Sequence, residues 1–325
     1  MRNRSTKTII VMLLIFSCVI AGCGVKSNKK LYKSGTQEES SSKVFAITCM
    51  DESNPYFEAI INEMKSRIEE NGDELIVYET GNDISKQASV IKQMIDDDVD
   101  GIFLNPVDSN KIVDSLGEVS EAGIPIVGFD AEIEDMSYLN AYVGSDNYNA
   151  GFVVGKDLLE KCSEGGDIVI LDSINALSST DRVNGFLAAI QPGKFKIYAQ
   201  HDCDGDKEKA KEQMEIILSQ NSDIVAVFGE NDPTALGALA AVEEAGLTDI
   251  MVYGVDGSLD MREKIADKSS LVEGTGAQSP KRIARKSVEV MYKILDGEEV
   301  EEYNSIETFL ISKDNIDYYG VTDWL

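Results

Sequence analysis

Histidine is nearly absent: His201 is the only one in 325 residues. That removes most histidine-based acid–base chemistry and any multi-histidine metal site. Basic charge is scarce as well, with 30 Lys and Arg against 58 Asp and Glu, a formal charge of −28. Binding along a nucleic-acid backbone needs clustered Lys and Arg, so no nucleic-acid partner is expected. The acidity itself reads as a soluble, self-repelling surface. Of the 5 cysteines, Cys49, Cys162 and Cys203 lie beyond the N-terminal run, an odd number with no close spacing of the kind that marks a disulfide framework or a metal cluster. Extended apolar stretches are missing too. The N-terminal run TIIVMLLIFSCVIAGC, at 8–23, is too short for a comfortable membrane span. What remains is ordinary globular composition, 43% hydrophobic and 27% charged, in a chain long enough for two cores.

The basic MRNRSTK, the apolar run and the polar sequence after it form a secretion signal. Its end, Ile20-Ala21-Gly22-Cys23, resembles the lipobox of bacterial lipoproteins. In those proteins the cysteine becomes the lipidated first residue after cleavage. The resemblance implies a signal peptide at 1–22, lipidation of Cys23 and a lipidated tether at 23–42. Residues 24–42 lack apolar periodicity and read as flexible. The folded part is then extracytoplasmic and anchored to the cell membrane by lipid. Cys49, Cys162 and Cys203 stay in the mature chain and read as mostly buried free thiols.

From Lys43 onward strand and helix patterns alternate. The strands are expected at 44–49, 74–80, 101–105, 125–130, 141–146, 167–172, 195–201, 223–229, 250–256 and 271–277. Several are near-continuous apolar runs, such as DGIFLN, IPIVGFD and DIVAVFGEN, the pattern of strands buried on both faces of a parallel sheet. Repeated βα units make an α/β, doubly wound sheet. Ten strands exceed what one open sheet usually holds, so two lobes are expected.

The carboxyl ends of these strands deliver Asn54 and Tyr56, Asn105, Asp130, Ser145-Asp146-Asn147, Asp172-Ser173, Asp202, Asn231-Asp232, Asp256 and Gln278. In open α/β sheets ligands bind in the crevice beyond those ends. Planar amides and carboxylates can each pair with two adjacent hydroxyls. The pairs Asn54-Pro55, Asn105-Pro106, Asp232-Pro233 and Ser279-Pro280 also look like helix starts. Asn105, Asp232 and Ser279 therefore read as caps, and Asn54 as a cap or a ligand contact. Asn231 and Gln278 stand one residue earlier, with side chains free for other work.

In the helix after Pro55, Phe57, Ile61, Met64 and Ile68 make the apolar stripe and Tyr56 lies about 100° off Phe57. The helix does not need a tyrosine there, beside Asn54 at the mouth of the turn. The SSTDRVNGFLAAI helix has Val183, Phe186, Leu187 and Ile190 as its stripe and Ser179 or Thr180 as its cap. Arg182 then falls in the first turn, where the helix dipole disfavours a cation. Asp181, a cleft carboxylate or a polar ligand could compensate.

In this order the motifs NPYF, NPVDS, GFD at 128–130, GSDNYNAG at 144–151, DRVNGF at 181–186, VFGENDPTALGALAAVEEAG at 227–246, VYGVDGS at 252–258 and Gln278 resemble the ribose-type periplasmic sugar-binding proteins that serve ABC importers. The resemblance covers essentially all of 43–325. It implies a type I periplasmic-binding-protein-like fold, two lobes joined by three crossovers near 145–147, 277–279 and 305–308. The N-terminal lobe would comprise 43–145 plus 279–306, the C-terminal lobe 146–278 plus 307–325. It further implies ligand contacts from Asn54, Tyr56, Phe57, Asp130, Arg182, Asn231, Asp256 and Gln278, with the two aromatics as platforms for a sugar face. The implied partners are a sugar or polyol and a membrane permease, with no cofactor, no enzymatic activity and a monomeric state.

Three positions depart from the ribose binders: Ala131 replaces an arginine, Val255 an aromatic and, in a looser alignment, Gly205 another aromatic. They argue against ribose itself; a hexose, a cyclitol or another polyol fits at least as well. Asp202, Asp204 and Asp206 alternate as in a calcium loop, but Lys207 and Gln213 stand where Gly and Glu are needed, so turn and cap chemistry is expected and no metal. Two other classes are a sensor subunit signalling to a receptor or histidine kinase, and a sugar-processing enzyme using Asp130 and Asp256 as acid and base.

Overall fold

The computed structural model describes residues 42–174 and 176–325. The expected signal peptide, Cys23 and nearly all of the tether lie outside the described residues. In chain order the first elements are β1 (Val44–Thr48), α1 (Pro55–Glu70), β2 (Glu74–Val77), α2 (Ile84–Asp96), β3 (Gly101–Leu104), α3 (Val113–Ala122), β4 (Ile126–Phe129) and β5 (Ala141–Ser145). Then come α4 (Asn147–Lys161), β6 (Gly166–Asp172), α5 (Leu177–Ile190), β7 (Phe195–Asp202), α6 (Lys207–Gln220), β8 (Ala226–Gly229) and α7 (Asp232–Glu244). The last are β9 (Met251–Asp256), α8 (Leu259–Ala266), β10 (Val272–Ala277), α9 (Pro280–Leu295), β11 (Tyr303–Ile306), β12 (Phe309–Ser312) and α10 (Ile316–Tyr319).

These strands make two six-stranded sheets, ordered β11-β5-β4-β3-β1-β2 and β12-β10-β9-β8-β6-β7. Each sheet is covered on both faces, as its apolar runs demand. Successive residues of β1 point opposite ways: Phe45 and Ile47 pack with α1 and α9, Ala46 with α2 and α3. In the second sheet Ile168 and Ile170 pack with α4 and α5, Val169 and Leu171 with α6 and α7. The chain passes from one sheet to the other three times: between β5 and α4, between β10 and α9, and between β11 and β12.

The ten expected strands are present, with β2 ending at Val77 and β8 beginning at Ala226. β11 and β12 were not expected. Each has four residues in EEYNSIETFLISKDN: β11, YNSI, has no apolar run, and that of β12 is limited to Phe309-Leu310-Ile311. β12 runs antiparallel to β10, Phe309 opposite Ala277, so the second sheet is mixed rather than wholly parallel.

Several helix starts also differ. No helix follows Asn105-Pro106; α3 begins at Val113, and the buried Asn105 side chain instead accepts the Met50 N–H and donates toward the Phe129 carbonyl. α7 is capped by Asn231, whose Oδ1 accepts the Thr234 N–H at 2.8 Å, and Asp232 is its first residue. α5 begins at Leu177, which puts Arg182 in the second turn and leaves the buried Ser179 hydroxyl to accept the Ser173 N–H. Ser279 precedes α9 without a side-chain cap bond. In α1 the buried set is Tyr56, Phe57, Ile60, Met64 and Ile68, so Ile60 takes the place expected for Ile61 and Tyr56 belongs to the packed face.

α4 and α5 pack almost backbone to backbone through glycines. A methyl at Gly151 would meet the Arg182 carbonyl oxygen, and one at Gly155 would lie 2.6 Å from that of Phe186. α5 carries Arg182, so this contact fixes the height of the guanidinium above the second sheet.

Candidate functional site

The carboxyl ends of both sheets open into one cavity of ≈ 510 Å³, within the usual range of small-molecule sites. Asn54, Tyr56, Phe57, Asp130, Arg182, Asn231, Asp256 and Gln278 all line it. Asn54 is the cap of α1, its Oδ1 accepting the Tyr56 N–H at 2.9 Å. That bond orients the start of the helix and places Tyr56 and Phe57, both largely buried, at the cavity wall.

The Tyr56 hydroxyl donates to Asp130 Oδ1 at 2.8 Å and lies 3.2 Å from Gln278 Oε1. Gln278 in turn donates through Nε2 to Asp256 Oδ1 at 2.8 Å. The same Asp256 oxygen is 3.4 Å from Arg182 Nη1, which also lies 3.4 Å from Glu230 Oε2 and donates to the Glu230 carbonyl at 3.0 Å. Arg182 Nε donates to Asn147 Oδ1 at 2.9 Å. Two cleft carboxylates, rather than Asp181, therefore neutralise Arg182. The polar groups of both sheets form one connected network, with Gln278 as the link at a crossover.

Asp130 and Asp256, each just past or at the end of its strand, have φ of 64 and 136. Non-glycine residues rarely adopt this region, and such strain concentrates at ligand sites. Asn231 is less free than expected: its Oδ1 is the cap, and its Nδ2 donates to the Gly205 carbonyl at 3.2 Å. Asp232 lies beneath the cavity floor, accepting from Thr275 Oγ1 and the Ser258 N–H, both at 2.7 Å.

Other strand-end groups serve the framework. Asp146 caps α4, Asp206 caps α6, and Asp172 accepts from Gln200. Asp202 Oδ1 accepts the Asp204 N–H at 3.0 Å, the turn chemistry expected there, and Asp204 pairs with Lys209 at 2.9 Å. Among the described residues no group of three or more His, Cys, Asp or Glu is placed to hold a metal ion. Cys49, Cys162 and Cys203 are free thiols, two buried and one half-buried. Among the described residues no helix is long and apolar enough to cross a membrane.

Glu230 and Trp324 are among the lining residues that escaped sequence reading. Glu230 sits between β8 and the Asn231 cap, and the capping pattern beside it drew attention away. Trp324 lines the cavity from the segment after α10, its ring centroid 5.5 Å from that of Tyr56. The one available signal was that it is the sole tryptophan. A second cavity of ≈ 450 Å³ shares Asp130, Arg182 and Gln278 with the first and extends past Ala131, Glu132 and Asp181.

Arg182 and Lys207 are the basic groups lining the main cavity, against Asp130, Glu230, Asp256 and Asp260. Burial lifts the Asp130 carboxyl above its ordinary range, opposed by the Tyr56 hydroxyl and Arg182. Asp256 is also raised by burial, opposed by Arg182 and Gln278. Burial pushes Glu230 up to about 7, with Arg182 opposing and Asp256 adding. Between its ordinary 4.5 and about 7 the folded protein keeps a Glu230 proton that the unfolded chain has lost. Stability therefore falls as pH rises through that window, by about 3 kcal/mol from this group. Glu230→Gln is expected to flatten the fall, read as melting temperature from about pH 5 to pH 8. An unchanged slope would remove Glu230 as its source.

Two α/β lobes, crossed three times and meeting at a strained, hydrogen-bonded cleft, define the architecture of the type I periplasmic binding proteins. The chain belongs to that family: the periplasmic binding protein domain matches residues 45–299. The ribose import binding protein of Salmonella typhimurium is 30% identical over 261 residues, 80% of this chain and 87% of that protein. An ABC transporter periplasmic solute binding protein from Actinobacillus succinogenes 130z, solved with bound D-allose, superposes with a TM-score of 0.78 at 26% identity, covering 86% of this chain and 100% of that one. One from Bacillus halodurans C-125 with bound myo-inositol also gives 0.78 at 26% identity, covering 87% and 99%.

Proposed function

We propose that this chain is an extracytoplasmic solute-binding protein that captures a sugar or related polyol between its lobes and delivers it to an ABC permease. The observation that carries the reading is the convergence of Tyr56, Asp130, Arg182, Asp256 and Gln278, from both sheets and one crossover, on a single cavity. Membership of the family and the sugar-bound relatives support it. The chain binds and does not transform its ligand.

In this reading Asp130, Arg182, Asp256 and Gln278 pair with ligand hydroxyls, Asn54 and Asn231 border them, and Tyr56 and Phe57 hold the C–H face of the ring. The lobes divide into 43–145 plus 279–306 and 146–278 plus 307–325. Open and closed forms interconvert, and a ligand that contacts both lobes selects the closed one. A monomer, tethered through lipid on Cys23, carries this out beside the membrane. The departures at Ala131, Val255 and Gly205 argue against ribose itself, and a hexose, a cyclitol or another polyol fits at least as well.

A thermal-shift series of the full chain against D-ribose, D-allose, D-galactose and myo-inositol tests the proposal. A sugar at about a thousand times its dissociation constant adds ~4 kcal/mol of stability, roughly 8 °C in melting temperature. No shift with any sugar, together with one from nucleosides or amino acids, would overturn the sugar reading.

A further inference from the structure

The segment after α10 is held from both sides of the cleft. Arg262 in α8, fully buried, donates from Nη1 to the Gly320 carbonyl at 3.1 Å and from Nη2 to the Asp323 carbonyl. From α9, the Lys281 N–H donates to the Leu325 carbonyl at 3.2 Å and Lys281 Nζ meets Asp323 Oδ2 at 2.5 Å. Val321 and Leu325 pack on the apolar cluster around α8 and β10. Trp324, between them, packs instead on the cluster of the first sheet, with its ring at 84° to that of Tyr56. Four backbone and side-chain anchors thus fix one large aromatic at the cavity wall.

The lining of that cavity is of two kinds: Asp130, Arg182, Asp256 and Gln278 supply polar groups, while Met50, Phe57, Leu236, Leu259 and Trp324 supply apolar surface. The Trp324 indole N–H is buried and makes no hydrogen bond. What the side chain offers the cavity is therefore ring surface rather than a donor. A hydroxyl held against it would lose its water without gaining a partner, whereas a methyl or methylene would gain apolar contact.

We infer that Trp324 is a specificity-determining residue of the cleft, and that it selects sugars whose edge facing it lacks a hydroxyl, the deoxy-sugars. The inference rests on the sugar-binding reading above and narrows its ligand class. Sugar pairs differing by one hydroxyl serve as probes: D-ribose and 5-deoxy-D-ribose, D-allose and 6-deoxy-D-allose, D-galactose and D-fucose. Calorimetric titration of the full chain is expected to favour the deoxy member of the pair that binds by about tenfold. Trp324→Ala should bring that ratio close to one, and Trp324→Phe should keep most of it. A merely structural loss would weaken both members in proportion and leave the ratio intact. Because Trp324 is the sole tryptophan, its emission should also shift when the preferred sugar saturates the wild-type chain. A ratio unchanged in Trp324→Ala, or a preference for the hydroxylated member, would overturn the inference while leaving sugar binding intact. If no pair binds the wild-type chain, the sugar-binding reading and this inference fall together.

Discussion

Arg182→Met is expected to weaken capture of the panel sugar by ~100-fold or more and to destabilise the unliganded protein by about 3 kcal/mol or more. The guanidinium is nine-tenths buried and stands between Glu230 and Asp256, 3.4 Å from an oxygen of each. Methionine fills similar space but leaves two carboxylates facing each other with no cation. Both then hold protons to higher pH than they already do. The melting-temperature deficit of the variant should accordingly be larger at pH 8 than at pH 5, where the carboxyls are closer to neutral in either protein. Arg182→Lys keeps the charge but not the fork that reaches Asn147, Glu230 and Asp256 together, so it should recover stability better than affinity. Wild-type affinity in Arg182→Met, measured by calorimetry, would remove Arg182 from the site.

Gly151→Ala should cost about 3 kcal/mol or more, although alanine is the better helix former. The new methyl would meet the backbone oxygen of Arg182, and backbone has no rotamer by which to give way. α4 and α5 must separate, and Arg182 moves with α5, so affinity falls together with stability. Gly117→Ala is the control. Gly117 lies inside α3 with nothing within 4 Å of its added methyl, so that substitution should stabilise by roughly 0.5–1 kcal/mol. Denaturant titration of both variants measures the two opposite signs; equal effects would mean that the α4–α5 contact relaxes freely.

The legible part of this molecule is the part set by local chemistry. Runs such as GIFL and AVFG are buried on both faces and declare central strands; the helices between them declare the winding. Tyr56, Asp130, Arg182, Asp256 and Gln278 could be placed near one another because strand ends in such sheets share one side. The illegible part depends on distance along the chain. β11 and β12 are strands only because β5 and β10 offer them edges. Asn231 rather than Asp232 became the α7 cap because the Asp232 carboxylate is engaged by Thr275 and Ser258, residues from other elements. Nothing near Trp324 in sequence points to Tyr56. Glu230 was within reach, since it ends a clear strand, but a cap signal beside it hid a buried charge.

The return of the chain to its first sheet bears on how the protein is made. Tyr142 in β5 is paired with Tyr303 in β11, and the face of α1 bearing Ile60 and Met64 is closed by Ile283 and Met291 of α9. Everything from α4 to β10 is synthesised between those partners. Until α9 emerges, Phe45, Ile60 and Met64 have no lid, and loops spanning the whole second lobe must close before the first core is complete. The N-terminal half cannot finish folding ahead of the C-terminal half, so a nascent chain keeps apolar surface exposed through most of its synthesis. The order of its own strands thus holds the chain open until its last third has been made.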